Sequence, residues 1–162
     1  MTTIKKTAPL TPARLDWPSA VGNFLLNFGA LDMGVLDFLE SSLSTEEFAK
    51  VRDWHLRDRI EVIMKHLRTG GYSKAELEAF ERFFNRLEPI RELRNHIAHG
   101  TMRLGLTADQ ETWEVTLSLP RDIDGTYSPD ASHLSFDELT KALTELTGLI
   151  EEFNELSVGK KS

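Results

Sequence analysis

The stretch SKAELEAFERFFNRLEPIRELRNHIAHG, residues 73–100, decides how the rest of this chain folds. Its apolar residues recur every three or four positions, which predicts one long amphipathic helix with a buried face. They are Leu77, Phe80, Phe84, Leu87, Ile90 and Ile97. Ser73 and Glu76 form a capping-box pattern at the start, and Gly100 stands where helices commonly end. A helix of this length needs partner helices to cover its apolar face.

Three further segments repeat the same apolar period. The first runs over about 17–40, the second over 44–67 and the last over 135–156. The second and last open with capping boxes of their own, Ser44–Glu47 and Ser135–Glu138. Four amphipathic helices predict an all-α fold, a four-helix up-down bundle.

Between the third and fourth helices the apolar period changes to two. This alternation predicts a β-hairpin inserted at about 101–119, with a turn at 107–110 and a loop over 120–134. We expect residues 16–158 to form a single domain. The N-terminal segment 1–15 is expected to be disordered, and the C-terminal residues 159–162 to be frayed.

Composition narrows the classes of function. The chain has 162 residues and no cysteine, so disulfides, thiolate metal sites and a cysteine nucleophile are excluded. No stretch approaches about 18 uncharged apolar residues, and 1–15 lacks the apolar run of a secretory signal, so we expect a cytoplasmic protein without a membrane partner. The net charge is −7, but segment 46–103 is weakly basic and could hold a local anion site.

The end of the third helix, Arg94-Asn95-His96-Ile97-Ala98-His99-Gly100, holds the residues best suited to chemistry. Arginine matches the geometry of a phosphate and stays charged, and histidine can take up or release a proton near neutral pH. Arg94 and His99 are five residues apart, about 140° around an ideal helix. They are therefore not expected to converge within one straight helix. Either the last turn unwinds towards Gly100, or a second subunit supplies the missing group.

The motif resembles the hallmark of the HEPN superfamily (higher eukaryotes and prokaryotes nucleotide-binding domains), an arginine, a polar residue and then a histidine at Arg-x(4–6)-His spacing. Arg94 matches the arginine, Asn95 the polar residue and His99 the histidine. About six residues carry the resemblance directly, and the predicted bundle over about 17–157 is its context. The hairpin at 101–119 departs from the minimal family pattern.

The resemblance implies a metal-independent endoribonuclease of a defence or toxin–antitoxin system. It implies a homodimer whose motifs face each other across a cleft, with RNA as substrate and a separate antitoxin protein as a further partner. Arg94 and His99 would be catalytic with Asn95 in support, and no cofactor or metal is expected. Some family members have lost activity, so the alternative is a catalytically inactive bundle that binds nucleotides, RNA or another protein.

Purely structural roles remain open for the same residues. Arg94 could pair with Glu88, and His99 could complement the negative end of the helix dipole. Arg91 could extend a phosphate site or form a solvated salt bridge. His96 and His99 could be imagined as a metal pair, but two histidines are too few ligands for a closed site.

Overall fold

The computed structural model describes residues 12–106, 113–123 and 126–158 of the chain, with side chains described for 17–100 and 134–158. Five helices hold most of these residues, so the expectation of a mainly helical domain is confirmed. They are α1 (Pro12–Ser42), α2 (Thr45–Val51), α3 (Leu56–Thr69), α4 (Lys74–His99) and α5 (Phe136–Val158). Helix α1 begins about a turn earlier than the sequence suggested. Residues 1–11 and 159–162, expected to be disordered or frayed, lie outside the described residues.

Capping boxes set the starts of three helices, as predicted. The Ser44 hydroxyl accepts from the Glu47 N–H at 3.4 Å, and the Glu47 carboxylate accepts from the Ser44 N–H at 3.1 Å. The box at Ser73 opens α4 in the same way. The Ser135 hydroxyl likewise accepts from the Glu138 N–H at 3.2 Å at the start of α5. Each reciprocal pair satisfies two backbone donors that a helix start otherwise leaves free.

The second predicted helix is in fact two helices, and the prediction of one continuous helix over 44–67 is wrong. The turn at 52–55 separates α2 from α3. Val51 and Leu56 are both buried, yet five positions on one straight helix would place them about 140° apart. A break lets both side chains reach the core. The break also leaves Trp54, expected in the apolar stripe, 48% exposed.

Helices α1, α4 and α5 enclose the centre of the core. Helix α1 packs along α5, α4 packs against α5 and α1, and α3 covers α4 and α1. Phenylalanines from three helices meet at the centre, with edge-on or tilted contacts between rings. They are Phe38 from α1, Phe80 and Phe83 from α4, and Phe153 from α5. Ile90 and Ile97 continue the buried face of α4 to its C-terminal end.

Helix α1 is the most apolar element. Its segment Trp17–Ser42 is long and apolar enough to cross a membrane by length and composition alone, with a mean hydropathy of 1.2. Core helices of soluble proteins meet the same criterion. Here Phe24, Phe28 and Val35 lie in the core, while Leu26 and Met33 are exposed on the other face. The absence of a membrane partner stays a prediction.

Between α4 and α5 the backbone forms three antiparallel strands in the order β1-β2-β3. They are β1 (Thr101–Leu106), β2 (Trp113–Ile123) and β3 (Thr126–Ser135). Leu104 is paired with Val115, and Val115 is paired in turn with Leu134. The predicted turn at 107–110 lies outside the described residues. The loop expected over 120–134 is wrong. The end of β2 and most of β3 occupy these positions, and Pro120 and Pro129, which we expected in the loop, are paired with each other in the sheet.

Candidate functional site

The last turn of α4 stays helical up to His99. The Gly100 N–H donates to the His96 carbonyl at 2.9 Å, which closes the final turn. The unwinding towards Gly100 that the sequence suggested is therefore wrong. Arg94, Asn95 and His99 project from a regular helix whose buried face, at Ile90 and Ile97, anchors it to the core.

Arg94 and His99 nevertheless meet within one chain. Nη1 of Arg94 lies 3.4 Å from Nε2 of His99, and it also donates to Oδ1 of Asn95 at 3.3 Å. The angle of about 140° describes only the directions in which the two side chains leave the helix. The arginine side chain is long and flexible enough to span the 140° between them. The expectation that the two groups could not converge within one straight helix is therefore wrong, and their contact needs no second subunit.

This contact specifies the form of the imidazole. An arginine nitrogen only donates hydrogen bonds, so His99 must accept at Nε2 and carry its proton on Nδ1 when the bond is made. A neutral imidazole with its lone pair at Nε2 is the form that can remove a proton from a hydroxyl. While this contact is made, Arg94 occupies the lone pair of Nε2, so His99 can accept another proton there only after Arg94 has moved to a different acceptor.

The guanidinium of Arg94 also contacts an aromatic ring of the core. Its Cζ lies 5.6 Å from the centroid of the Phe28 ring on α1, a cation–π arrangement. Only Nη1 is engaged by the hydrogen bonds above. Within the described part of the chain, Nε and Nη2 of Arg94 have no partner. The two nitrogens form one edge of the guanidinium, which matches two oxygens of a phosphate.

A cleft of about 210 Å³ opens beside Arg94, between α1, α3 and α4. We call it the arginine cleft because four arginines line it: Arg57, Arg59, Arg91 and Arg94. Asp32 is the one carboxylate among its lining residues. The balance of side-chain charge is positive on a protein whose net charge is negative, so the local potential favours an anionic ligand.

Arg59 lies at the floor of the arginine cleft. Its side chain is only 6% exposed, and its Nη2 donates to Oδ1 of Asp32 at 2.7 Å. Nε and Nη1 are enclosed and have no hydrogen-bond partner among the described residues. A buried guanidinium with two unsatisfied nitrogens is costly, and an anion that supplied acceptors to these nitrogens would lower that cost.

Arg91 is a second cleft arginine that already has a carboxylate partner. Both oxygens of the Glu88 carboxylate accept from Arg91, with Nε to Oε2 at 2.8 Å. This hydrogen bonding lowers the pKa of Glu88, and the charge of Arg57 adds a smaller effect in the same direction. Glu88 thus pairs with Arg91, and the alternative pairing of Glu88 with Arg94 is not found in the described structure.

The remaining sequence candidates take structural roles. Nδ1 of His96 lies 2.9 Å from the Glu92 carbonyl one turn earlier, so this ring nitrogen is occupied. No group of three or more histidine or carboxylate side chains that could hold a metal ion occurs among the described residues.

Sequence reasoning missed Arg57, Arg59 and Trp54 as parts of the cleft. A signal was available for Arg59, because it falls three residues after Leu56 and four before Ile63, both buried. A cation on the apolar stripe of a helix needs a partner or a ligand. Trp54 was assigned to the core because the break between α2 and α3 was not foreseen.

Comparisons of this chain with models of protein families, with curated proteins and with solved structures find no match.

Proposed function

We propose that this protein is a HEPN-like, metal-independent endoribonuclease of a defence or toxin–antitoxin system. It works as a homodimer, with RNA as substrate and a separate antitoxin protein as a partner. The proposed fold is a four-helix up-down arrangement of α1, α3, α4 and α5, with a hairpin at about 101–119, formed by β1 and the first part of β2, inserted between α4 and α5. The motif Arg94-Asn95...His99, on which the family resemblance rests, is the proposed catalytic group.

The observation that carries the proposal is the contact between Nη1 of Arg94 and Nε2 of His99 at 3.4 Å. It brings together a permanent cation and a proton acceptor, and the free edge of the arginine points to a second, phosphate-binding role. His99 is exposed, so an extended polymer can reach it.

RNA carries its own nucleophile, the 2′-hydroxyl. The phosphate takes the place of His99 as acceptor from Arg94, which frees the lone pair of Nε2. Nε2 then removes the proton of the 2′-hydroxyl, and O2′ forms a bond to phosphorus while the bond from phosphorus to O5′ breaks. Arg94 stabilises the charge that builds up on the non-bridging oxygens, and Asn95 keeps its Nη1 in place. The leaving O5′ takes a proton from solvent. The products are a 2′,3′-cyclic phosphate and a 5′-hydroxyl.

Cleavage of tRNA and mRNA in the presence of EDTA tests this mechanism. We expect wild type to cut and His99→Ala to lose at least about 100-fold in rate, the usual contribution of a general base. His66→Ala, which removes a histidine from α3, is the matched control and should cut like wild type. Cut RNA carrying 5′-phosphate ends would contradict attack by the 2′-hydroxyl.

Mixing of two inactive variants tests how the dimer is built. Because Arg94 and His99 meet in one chain, mixed dimers of Arg94→Ala and His99→Ala have no intact pair and should stay inactive. If the arginine and the histidine came from different subunits, mixing would restore one of the two sites. Recovery of activity on mixing would therefore exclude the intrachain pair as the catalytic unit.

The arginine cleft favours a second candidate, a catalytically inactive module that binds a nucleotide or RNA through the same residues. In that case RNA binding survives His99→Ala and weakens in Arg94→Ala, while no cut RNA appears with any variant. Arg82→Ala, an exposed arginine three turns earlier on α4, controls for the loss of one positive charge. A protein-interaction bundle without a nucleic-acid ligand would instead leave both variants with normal function.

A further inference from the structure

Trp54 is a half-exposed lining residue of the arginine cleft and of two neighbouring pockets, and it has no role in the mechanism above. It lines the cleft together with Arg57, Arg59 and Arg94. Its side chain is 48% exposed, so part of the indole is open to a ligand. Its backbone is fixed, because its N–H donates to the Val51 carbonyl at 3.0 Å and both Val51 and Leu56 are buried.

We propose that the arginine cleft and Trp54 together bind one unpaired nucleotide of single-stranded RNA, next to the phosphate held by Arg94. The phosphate of this nucleotide enters the cleft, and its base stacks on the indole of Trp54. The inference rests on the proposed function, since it defines the substrate of that site as single-stranded RNA.

Two independent features of the cleft prepare it for a phosphate. The first is the charge of Arg57 and Arg59. Arg57 is exposed and has no ion-pair partner among the described residues, whereas Arg59 is buried with two nitrogens unsatisfied. The second is the start of α3, where His55 is the N-cap residue and makes no side-chain hydrogen bond to the helix. The backbone N–H groups of this first turn add partial positive charge at the same point, which the carboxylate of Asp58 in the same turn partly offsets.

The size of the cleft places the base outside it. Its volume is about 210 Å³, below the ~300 Å³ at which pockets begin to enclose a drug-sized ligand. A phosphate with part of its ribose fits into this space, and a whole nucleotide does not. The base must then lie at the rim, where Trp54 offers an aromatic face.

Stacking on Trp54 discriminates against duplexes. In a double helix both faces of a base are covered by its neighbours, so an indole can stack only on a base that is unpaired and splayed out. The A-form duplex also hides its base edges in a deep, narrow groove. The site therefore selects loops, bulges and single-stranded ends.

The test is binding of a short, fluorescein-labelled 2′-O-methyl oligonucleotide, measured by anisotropy. The methyl group blocks the attacking hydroxyl, so binding is measured without cleavage. We expect Trp54→Ala to weaken binding by roughly 5- to 150-fold, the range for loss of one stacked base. Trp54→Phe keeps an aromatic face and should retain most of the affinity. Equal binding by Trp54→Ala and wild type, with folding verified by circular dichroism, overturns the proposal.

Salt dependence separates the phosphate contact from the base contact. Arg57→Ala removes one phosphate contact, so the slope of log affinity against log salt concentration should fall by about 0.7. Trp54→Ala should leave that slope unchanged. Arg82→Ala is the matched control, because it removes the same charge from a position outside the cleft and should change neither slope nor affinity. An unchanged slope for Arg57→Ala overturns the phosphate assignment.

Two further probes make the outcome specific. The first is a set of single strands that each lack the base at one position. Wild type should bind one of these strands as weakly as Trp54→Ala binds the intact strand, because in both cases the stacked pair is lost. A duplex of the same sequence should bind wild type and Trp54→Ala equally. A duplex that is bound as tightly as the single strand, with the same loss in Trp54→Ala, contradicts selection of unpaired bases.

The binding assay and the cleavage assay distinguish failure of the nucleotide site from failure of the nuclease proposal. If wild type binds the probe in a Trp54-dependent way and cuts no RNA, the nuclease proposal fails and the nucleotide site stands. If wild type cuts RNA and Trp54→Ala binds and cuts equally well, the nuclease proposal stands and the nucleotide site is excluded. If wild type does not bind the probe at all, the nucleotide site is also excluded.

Discussion

Replacement of Asp32 by asparagine should destabilise the protein and at the same time strengthen the RNA binding that we propose. Asp32 accepts from Nη2 of Arg59 at 2.7 Å and is the one carboxylate lining the arginine cleft. The asparagine side chain keeps an oxygen that can accept this hydrogen bond and loses only the charge. The buried guanidinium of Arg59 is then left without an anionic partner.

The magnitude follows from the exposure of the two side chains. Removal of one partner from a fully buried ion pair costs about 3–5 kcal/mol, and an exposed pair is worth about 0–1 kcal/mol. Arg59 is 6% exposed and Asp32 33% exposed, so solvent screens one half of this pair. We therefore expect the free energy of unfolding to fall by about 2 kcal/mol, which corresponds to a Tm lower by roughly 4–8 °C for a chain of this size.

Urea unfolding at pH 7, followed by far-UV circular dichroism, measures the loss. Asp37→Asn, the same change five residues later on α1, is the matched control and should stay within about 0.5 kcal/mol of wild type. Binding of the 2′-O-methyl oligonucleotide should tighten in Asp32→Asn, because a negative charge has left the cleft. A variant as stable as Asp37→Asn would refute the ion-pair argument, and weaker RNA binding would refute the assignment of the cleft as an anion site.

Three further changes test other parts of the structure. Glu88→Gln should release Arg91 into the cleft and steepen the salt dependence of RNA binding, measured by anisotropy; an unchanged slope would mean that Arg91 does not face the ligand. Ser73→Ala should lower the free energy of unfolding by about 1 kcal/mol through loss of the capping box, with no change in RNA binding. The pKa of Glu138 is lowered from its ordinary value of 4.5 by hydrogen bonds from Ser135, so its stabilising effect is present above that ordinary value and is lost as the pH falls through the lower pKa of the folded protein. The gap in urea midpoint between wild type and Glu138→Gln should therefore close as the pH is lowered from neutral through the pKa of Glu138 in the folded protein, and a gap that persists in strong acid would contradict this origin.

The helices were predictable where local signals agreed with the apolar period. The capping box at Ser73 and the glycine at position 100 bracket α4, and the structure places this helix at Lys74–His99. The break between α2 and α3 was not predictable in the same way. The break lets Val51 and Leu56 both pack in the core. This is a tertiary constraint, and it overrides local helix propensity.

The candidate site was predictable only in part. The sequence motif singled out Arg94, Asn95 and His99. The angle between Arg94 and His99 around the helix predicted no contact within one chain, and this was wrong because the arginine side chain is long enough to reach His99. The rest of the cleft comes from other helices. Arg59 and Asp32 are 27 residues apart in sequence, and no local pattern joins residues at such a distance.

The ring of Phe28 belongs to the core and also supports the guanidinium of Arg94 from below. Loss of packing around this ring would misalign the arginine before the domain unfolds. Activity should then disappear at a lower temperature than helix content, and conservative changes such as Phe28→Leu should give temperature-sensitive alleles. The packing around one core ring would thus set the temperature at which the proposed site is lost while the helices stay folded.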